Sequence, residues 1–155
     1  MTLFIDADAL PNILKPILMR SIDRLGIKTI VVSNKKVILA NNNNNINYLI
    51  VNAGADEADN KIVEMLQKGD LVITADIPLA DRVITKNASA IDHRGELYDK
   101  NNIKQYLAIR NLMENIRETG EITKGPKPFS QKNAHNFANQ FNNFLYKYLE
   151  QLSQD

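Results

Sequence analysis

The sequence predicts an α/β fold: a parallel sheet of about five strands, helices on both faces of that sheet, and further helices at the C-terminal end. Short β-rich runs alternate with helical patterns over the first hundred residues, which is typical of βαβ units. Residues 71–74 form a continuous apolar run, as expected for a strand covered on both faces. A length of 155 residues suits a single domain, with a βαβ core over 1–100 and a helical portion over 101–155.

The first strand and helix follow from an apolar run and a helix-opening proline. Residues 3–5 are apolar and end at Asp6, which predicts a buried strand. Pro11 then opens a helix, and Gly26 stands where that helix should end. The apolar residues between them recur with a helical period: Ile13, Leu14, Ile17, Leu18, Ile22 and Leu25.

The rest of the core alternates in the same way. The predicted elements are, in order, strands at 29–32 and 48–51, a helix from about 55 to 68 ended by Gly69, a strand at 71–74, a short helix at 77–86 and a short strand at 89–91. Connections of this kind give parallel strands. The sheet is therefore predicted to be parallel throughout.

The last third predicts two amphipathic helices. The first carries Ile103, Tyr106, Leu107, Leu112, Met113 and Ile116 at helical spacing, and the second carries Ala134, Phe137, Ala138, Phe141, Phe144, Leu145, Tyr148 and Leu152. Aromatic residues at this spacing favour a packing face over a base-stacking platform. The Gly/Pro-rich stretch 119–129 between the helices is a connector or a basic flap over a site, since it contains Lys124 and Lys127.

Composition and charge exclude several classes of protein. With 19 basic and 18 acidic residues the net charge is +1, so any nucleic acid must be held by a local patch. The absence of cysteine excludes disulfides, thiolate zinc sites and thiol catalysis. Neither a signal peptide nor an apolar membrane span is recognisable, which predicts a soluble, cytoplasmic protein. Tyr146 is a candidate dimer contact, so the sequence is compatible with a homo-oligomer.

Acidic residues follow the predicted strands where the chain leaves the sheet. Ligands of open α/β sheets bind at this edge, outside the carboxyl ends of the strands. The acids are Asp6 and Asp8 after the first strand, Asp56, Glu57 and Asp59 after the third, Asp76 and Asp81 after the fourth, and Asp92 after the fifth. If the sheet is parallel, all of them approach one edge.

Spacing brings several of these carboxylates close together. Asp6 and Asp8 lie about 7 Å apart on one side of an extended chain. Asp56 and Asp59 share a helix face at spacing i, i+3. Crowded carboxylates repel one another unless a cation is present, and Mg²⁺ or Mn²⁺ accepts oxygen ligands of this kind. The pattern favours metal-assisted chemistry on a phosphodiester or a phosphomonoester.

The acids also have structural explanations. Asp56 and Asp59 suit a capping box, while Asp76 and Asp8 suit the N-caps of the helices that follow them. Asp6 ends an apolar strand and has no capping duty, which favours a functional role. Four further acids are interpreted as solvated or turn residues: Asp23, Asp70, Asp81 and Asp99.

Several segments together resemble the YaiI/YqxD family of bacterial proteins. They are residues 5–9 with Pro11, 54–60, 69–80, 94–98 and 137–140. The resemblance covers nearly the whole chain, and the combined motifs are specific. This family is similar to PIN-domain nucleases, so the resemblance implies a PIN-like sheet whose strand-end acids bind Mg²⁺ or Mn²⁺.

The resemblance assigns roles position by position. Asp6 matches the first PIN acid, Asp56 or Asp59 matches the acid on the second helix, and Asp76 matches the Thr-x-Asp element. Asp8 is an extra acid typical of the YaiI/YqxD family.

The sequence also departs from the family pattern at two places. Leu10 stands where relatives commonly have cysteine, and Asp92-His93 stands where many resemble Asn-Pro. A metal-binding role for Asp92 is therefore not carried over. Arg94 is a candidate phosphate contact or a member of a structural ion pair.

Three functional hypotheses follow. The first is a Mg²⁺- or Mn²⁺-dependent nuclease acting on RNA, with catalytic Asp6, Asp59 and Asp76, supporting metal ligands Asp8 and Asp56, and substrate contacts Arg94, Lys124 and Lys127. The second is a haloacid-dehalogenase-type phosphatase: Asp6 and Asp8 resemble its nucleophile and acid pair, Asp76 and Asp81 resemble its metal-binding acids, and Lys61 or Lys68 would contact the phosphate. The third is a non-catalytic domain that binds nucleic acid or protein.

Overall fold

A six-stranded, mostly parallel sheet forms the centre of the protein. The computed structural model describes residues 1–39, 43–121, 125 and 127–154. The strands are β1 (Leu3–Asp6), β2 (Thr29–Ser33), β3 (Ile46–Ile50), β4 (Leu71–Ile73), β5 (Ser89–Ile91) and β6 (Leu97–Tyr98), in the spatial order β3-β2-β1-β4-β5-β6. The first five are parallel and β6 runs antiparallel to β5. The predicted α/β class is confirmed, with one strand more than expected.

Five helices connect or follow the strands. They are α1 (Leu14–Leu25), α2 (Glu57–Met65), α3 (Ile77–Thr85), α4 (Ile103–Glu118) and α5 (Gln131–Ser153). Gly26 ends α1 with a φ of 63°, and its N–H donates to the Ile22 carbonyl. Ser130 begins α5 in a capping box with Asn133. These ends agree with the capping chemistry of the sequence.

Alternate residues of β1 enter two different cores, because side chains of a strand point to opposite faces in turn. Leu3 and Ile5 pack with α1 and α5, whereas Phe4 packs with α2, α3 and the start of α4. Phe137 and Phe141 of α5 are fully buried, with ring centroids 5.4 Å apart. The aromatic stripe of the last helix is thus a packing face, as predicted.

The sixth strand was not predicted because it contains only two residues. A tight turn creates it: the Asp92 carboxylate accepts the N–H groups of Arg94 and Glu96 at 2.9 and 2.8 Å. Gly95 completes the turn with a φ of 93°. The Asp92 carboxylate therefore holds the β5–β6 turn.

Asp70 differs from the expectation of a solvated turn acid. It is buried, and its carboxylate accepts the N–H groups of Thr2 and Gln67, each at 2.9 Å. It joins the chain before β1 to the loop before β4. A buried carboxylate needs such partners because desolvation of an unpaired charge is costly.

Chain order places a topological switch point between β1 and β4. The chain moves outward from β1 to β2 and β3, and then returns to add β4 and β5 on the other side of β1. A crevice forms outside the carboxyl ends of the two strands where the order reverses, and ligands bind there in open α/β sheets. Asp6 ends β1 at this crevice.

Candidate active site

The crevice at the switch point is an acidic cleft of about 370 Å³. All five predicted metal ligands line it, together with small residues and one histidine: Asp6, Asp8, Asp56, Asp59, Asp76, Ala9, Ala58, Ala75, Gly54, Asn34 and His93. The five carboxylates come from the end of β1, the loop after it, the N-cap and first turn of α2, and the N-cap of α3. Residues far apart in the chain are gathered because parallel strands end at one edge.

Thr74 connects Asp6 and Asp76 across the cleft. Its hydroxyl donates to the Asp6 Oδ2 at 2.8 Å, and the Thr74 Oγ1 accepts the N–H of Asp76 at 3.0 Å. Burial raises the pKa of Asp6, and the neighbouring charges of Asp8 and Asp76 raise it further, against the Thr74 hydrogen bond. Removing negative charge from this cleft, or adding a cation, would therefore relieve an electrostatic cost.

Asp76 caps α3 and lines the cleft at the same time. Its Oδ1 accepts the Leu79 N–H at 2.9 Å, as the capping interpretation predicts. Capping uses one lone-pair direction of a group with about four. The structural and functional explanations of Asp76 therefore do not exclude each other.

Asp59 is the third acid of the electrostatic group. Burial raises its pKa to about 6, and the charges of Asp76, Asp6 and Asp56 act in the same direction, while Arg82 lowers it. Asp6, Asp59 and Asp76 thus interact electrostatically across the cleft. Among the described residues, no three Asp, Glu or His side chains already converge as a complete metal-ligand set.

Asp8 and Asp56 do not have the capping roles offered as alternatives. α1 begins at Leu14, and the Asp8 carboxylate instead accepts the Asn34 N–H at 2.8 Å. Asp56 precedes α2 but makes no side-chain cap hydrogen bond, so its capping box with Asp59 is wrong. Asp56 has a φ of 64°, a conformation that costs energy for any residue with a Cβ. This turn also explains why α2 begins at Glu57, later than predicted.

His93 is the cleft residue that the sequence analysis missed. It is buried, 6% exposed, and no described residue is a hydrogen-bond partner of its Nε2. Burial, with the nearby Arg94 charge, lowers its pKa to about 4, so the ring is neutral near pH 7. The signal available in the sequence was its position just after β5, at the same sheet edge as the acids. Because the chain has only two histidines, composition predicts no histidine-rich metal site and gives His93 no role.

Two of the predicted substrate contacts, Arg94 and Lys127, are not among the residues that line the cleft. The Arg94 guanidinium donates to the Asn133 Oδ1 at 3.0 Å and the Lys127 carbonyl at 2.6 Å, and it lies 5.7 Å from the Phe129 ring centroid. These contacts join the β5–β6 turn to the start of α5, so Arg94 has a structural role here. The Lys127 side chain is exposed. Lys124 lies outside the described residues.

Loss of stability on acidification is expected from His93. Its pKa in the folded protein, about 4, lies below the ordinary value of 6.5, so the unfolded chain binds the proton first. Stability should therefore fall as the pH falls from 6.5 to 4, by up to about 3 kcal/mol. Denaturant unfolding of wild type and His93→Gln between pH 7.5 and 4 measures this difference.

The His93 contribution must be measured as a difference in stability between wild type and His93→Gln, because the acidic residues of the cleft change stability with pH in the opposite direction. Asp59 has a raised pKa, so its contribution to stability is lost as the pH rises through about 6. Subtracting the curve of unfolding free energy against pH for His93→Gln from that of the wild type removes the Asp59 contribution, which both proteins share. His135→Gln, at an exposed position on α5, is the control. A pH-independent difference between wild type and His93→Gln would contradict the prediction.

The fold and the cleft define an open-sheet α/β protein with a carboxylate-lined crevice at its switch point. The chain belongs to the family described as "Uncharacterized BCR, YaiI/YqxD family", whose model matches residues 4–147. The predicted family is confirmed. The similarity to PIN-domain nucleases stays a prediction.

Bacterial relatives cover almost the whole chain. A "UPF0178 protein" of Sulfurimonas denitrificans is 69% identical over 147 residues, covering 95% of this chain and 97% of the relative. A protein of the same description from Sulfurovum sp. is 65% identical, with 95% and 99% covered. One from Maridesulfovibrio salexigens is 43% identical over 152 residues, with 98% and 100% covered. No solved structure matches the chain.

The helices bear on the prediction that the chain has no apolar membrane span. Within the described ranges, none of the five helices combines the length and the apolar character that crossing a bilayer requires.

Proposed function

We propose that the protein is a nuclease that hydrolyses phosphodiester bonds of RNA with Mg²⁺ or Mn²⁺ bound in the acidic cleft. One observation carries this proposal: Asp6, Asp59 and Asp76 come from three different elements and interact electrostatically in one cleft at the switch point. Without a ligand, the repulsion among these charges costs stability. A divalent cation would convert their repulsion into binding energy.

The donor set fits a hard cation. Asp6, Asp59 and Asp76 would hold the metal, with Asp8 and Asp56 in support. Mg²⁺ in proteins keeps several waters and takes one or two carboxylates plus substrate phosphate, so it does not need a complete protein cage. When bound, the metal supplies an activated water and neutralises charge on the phosphodiester. The bridging Thr74 hydroxyl holds Asp6 in place for this task.

His93 is a second observation that supports a ligand-binding role for the acidic cleft. Its buried Nε2 lies at a cleft wall and has no hydrogen-bond partner in the described part of the chain, so it calls for a ligand or a water to complete its hydrogen bonding. Because the ring is neutral near pH 7, it can donate from one nitrogen and accept at the other. A phosphate oxygen or a water suits such a group, and its presence adds no positive charge to compete with a metal.

Contacts in the structure weaken support for the phosphatase hypothesis. Asp81 pairs with Lys104 at 3.1 Å, and Lys61 lies 3.7 Å from Glu64. Asp81, Lys61 and Lys68 are absent from the residues that line the cleft. The non-catalytic hypothesis keeps one favourable observation, the cap made by Asp76. The experiment below separates it from the nuclease.

Metal should stabilise the wild type and not Asp6→Asn. At a metal concentration 100 times the Kd, the wild type should gain about 2.7 kcal/mol. Without metal, Asp6→Asn should be at least as stable as wild type, because repulsion is relieved and the amide oxygen can still accept the Thr74 hydrogen bond. Thermal unfolding in EDTA, Mg²⁺ and Mn²⁺, with cleavage of a labelled single-stranded RNA, measures both effects.

Asp81→Asn is the matched control for this experiment. It removes the same charge, but its carboxylate faces Lys104 outside the cleft. It should keep the metal response and the cleavage rate. If metal leaves wild-type unfolding unchanged and no RNA is cleaved, the nuclease proposal is overturned and the acids are structural.

A further inference from the structure

A second, larger cavity adjoins the acidic cleft. It has a volume of about 590 Å³ and shares Ala75 and Asp76 with the cleft. Its other walls include Ile77 of α3 and three residues of α4: Arg110, Met113 and Arg117. We call this cavity the α4 groove. Through the shared residues it is continuous with the place where Asp76 meets the other carboxylates.

The three α4 residues lie on one face of the helix. Their spacing of three and four residues places Arg110, Met113 and Arg117 in a row. The seven-residue separation of the two arginines corresponds to about 10 Å along the helix axis. Arg117 is exposed, and Arg110 makes only a half-exposed ion pair with Glu114 at 2.9 Å. Such surface pairs are weak, so the Arg110 guanidinium can exchange its partner.

Charge complementarity identifies the occupant of the groove. Five carboxylates in the cleft repel a phosphate chain, and a net charge of +1 gives no attraction from the molecule as a whole. Arginine binds phosphate through paired N–H groups and supplies that attraction locally. Two arginines whose backbone positions lie about 10 Å apart along the helix can contact two phosphates at once, which a nucleic-acid strand provides and a phosphomonoester lacks.

The apolar residues favour a single strand. Met113 lies between the two arginines on the helix face, and Ile77 faces the same groove from α3. Unstacked bases of a single strand can place their faces on such side chains, whereas a duplex keeps its bases stacked inside.

We infer that the α4 groove binds the phosphate backbone of single-stranded RNA and leads it into the acidic cleft at Asp76. This inference rests on the proposed function, whose site it extends with a substrate path. It also replaces Arg94, whose guanidinium is held by α5, as the main phosphate contact.

Binding without cleavage tests the groove directly. The probe is a fluorescent 12-nucleotide single-stranded RNA, titrated in EDTA with Asp6→Asn protein so that the strand stays intact. Adding Arg117→Gln or Arg110→Gln should weaken binding about tenfold each, because each loses a charge-assisted phosphate contact. Each should also reduce the slope of log K against log salt concentration by about 0.7.

Arg20→Gln is the control for net charge. Arg20 is exposed on α1, outside both cavities, and its loss changes the charge by the same amount. Equal losses of RNA affinity in Arg20→Gln and Arg117→Gln would overturn the inference that the α4 groove binds RNA. Tighter binding of duplex RNA, or of single-stranded DNA, than of single-stranded RNA would also overturn it.

Binding and cleavage measured together distinguish the proposed RNA-binding role of the α4 groove from the proposed nuclease activity. Arginine-dependent RNA binding with no cleavage by the wild type would keep the groove and reject the nuclease. Cleavage by the wild type with an unchanged KM in Arg110→Gln and Arg117→Gln would keep the nuclease and reject the groove.

Discussion

Replacing Asp76 by asparagine is expected to lower metal-dependent RNA cleavage at least about 100-fold, since a metal-ligand charge is worth several kcal/mol and each 1.36 kcal/mol is tenfold in rate. The fold should survive the change. Asparagine caps helices about as well as aspartate and can still accept the Leu79 N–H. Unfolding free energy should stay within about 1 kcal/mol of wild type. Initial cleavage rates in Mn²⁺ and urea unfolding of the same preparations measure the two quantities.

Asp76→Ala separates capping from catalysis. It removes the charge and the cap together, so it should lose cleavage to the same extent and also about 1 kcal/mol of stability. Asp81→Asn on the same helix should change neither quantity. Wild-type cleavage by Asp76→Asn would mean that Asp76 is only a cap, and its assignment as a metal ligand would then be wrong.

Replacing Gly95 by alanine is expected to cost about 3–5 kcal/mol of stability, combining the cost of a positive φ with that of overpacking. Gly95 has a φ of 93°, and an added Cβ would lie 2.7 Å from both the carbonyl carbon and oxygen of Asn136 in α5. Backbone atoms within a packed helix cannot move aside as a side chain can. Urea unfolding of the variant measures the loss.

Gly69→Ala is the matched control for backbone conformation. Gly69 has a φ of 87°, but an added Cβ there meets nothing within 4 Å. It should therefore cost only the conformational term, about 1–2 kcal/mol. Equal losses at Gly69 and Gly95 would show that the close approach of α5 to the β5–β6 turn contributes nothing.

The parallel sheet, its helices and the sheet edge at which the acidic residues gather could all be predicted from the sequence. Apolar periodicity reports burial directly, and the rule that parallel strands end at one edge converts positions such as Asp6 and Asp76 into neighbours. Local chemistry was also readable: Gly26 ends α1, and Asp76 caps α3.

Features set by packing between distant segments were not readable. Arg94 is held by residues of α5 and the loop before it, which its own neighbours in the sequence do not reveal. The burial of His93 is likewise a product of the assembled fold. Arg110 and Arg117 read as ordinary surface charges of a helix until α4 is placed beside Asp76. The two-residue strand β6 is too short to show a period.

The packing of β1 against α5 has a consequence for the nascent chain. Leu3 and Ile5 of β1 share a core with Phe137 and Phe141 of α5, and Ser21 of α1 donates to Asn142 of α5 across 121 positions of sequence. At about 5–20 residues per second, ribosomes need on the order of ten seconds to make the intervening chain. The part of this sheet face that α5 covers, next to α1, therefore stays exposed during translation, and chaperones that shield apolar surface have that interval in which to act.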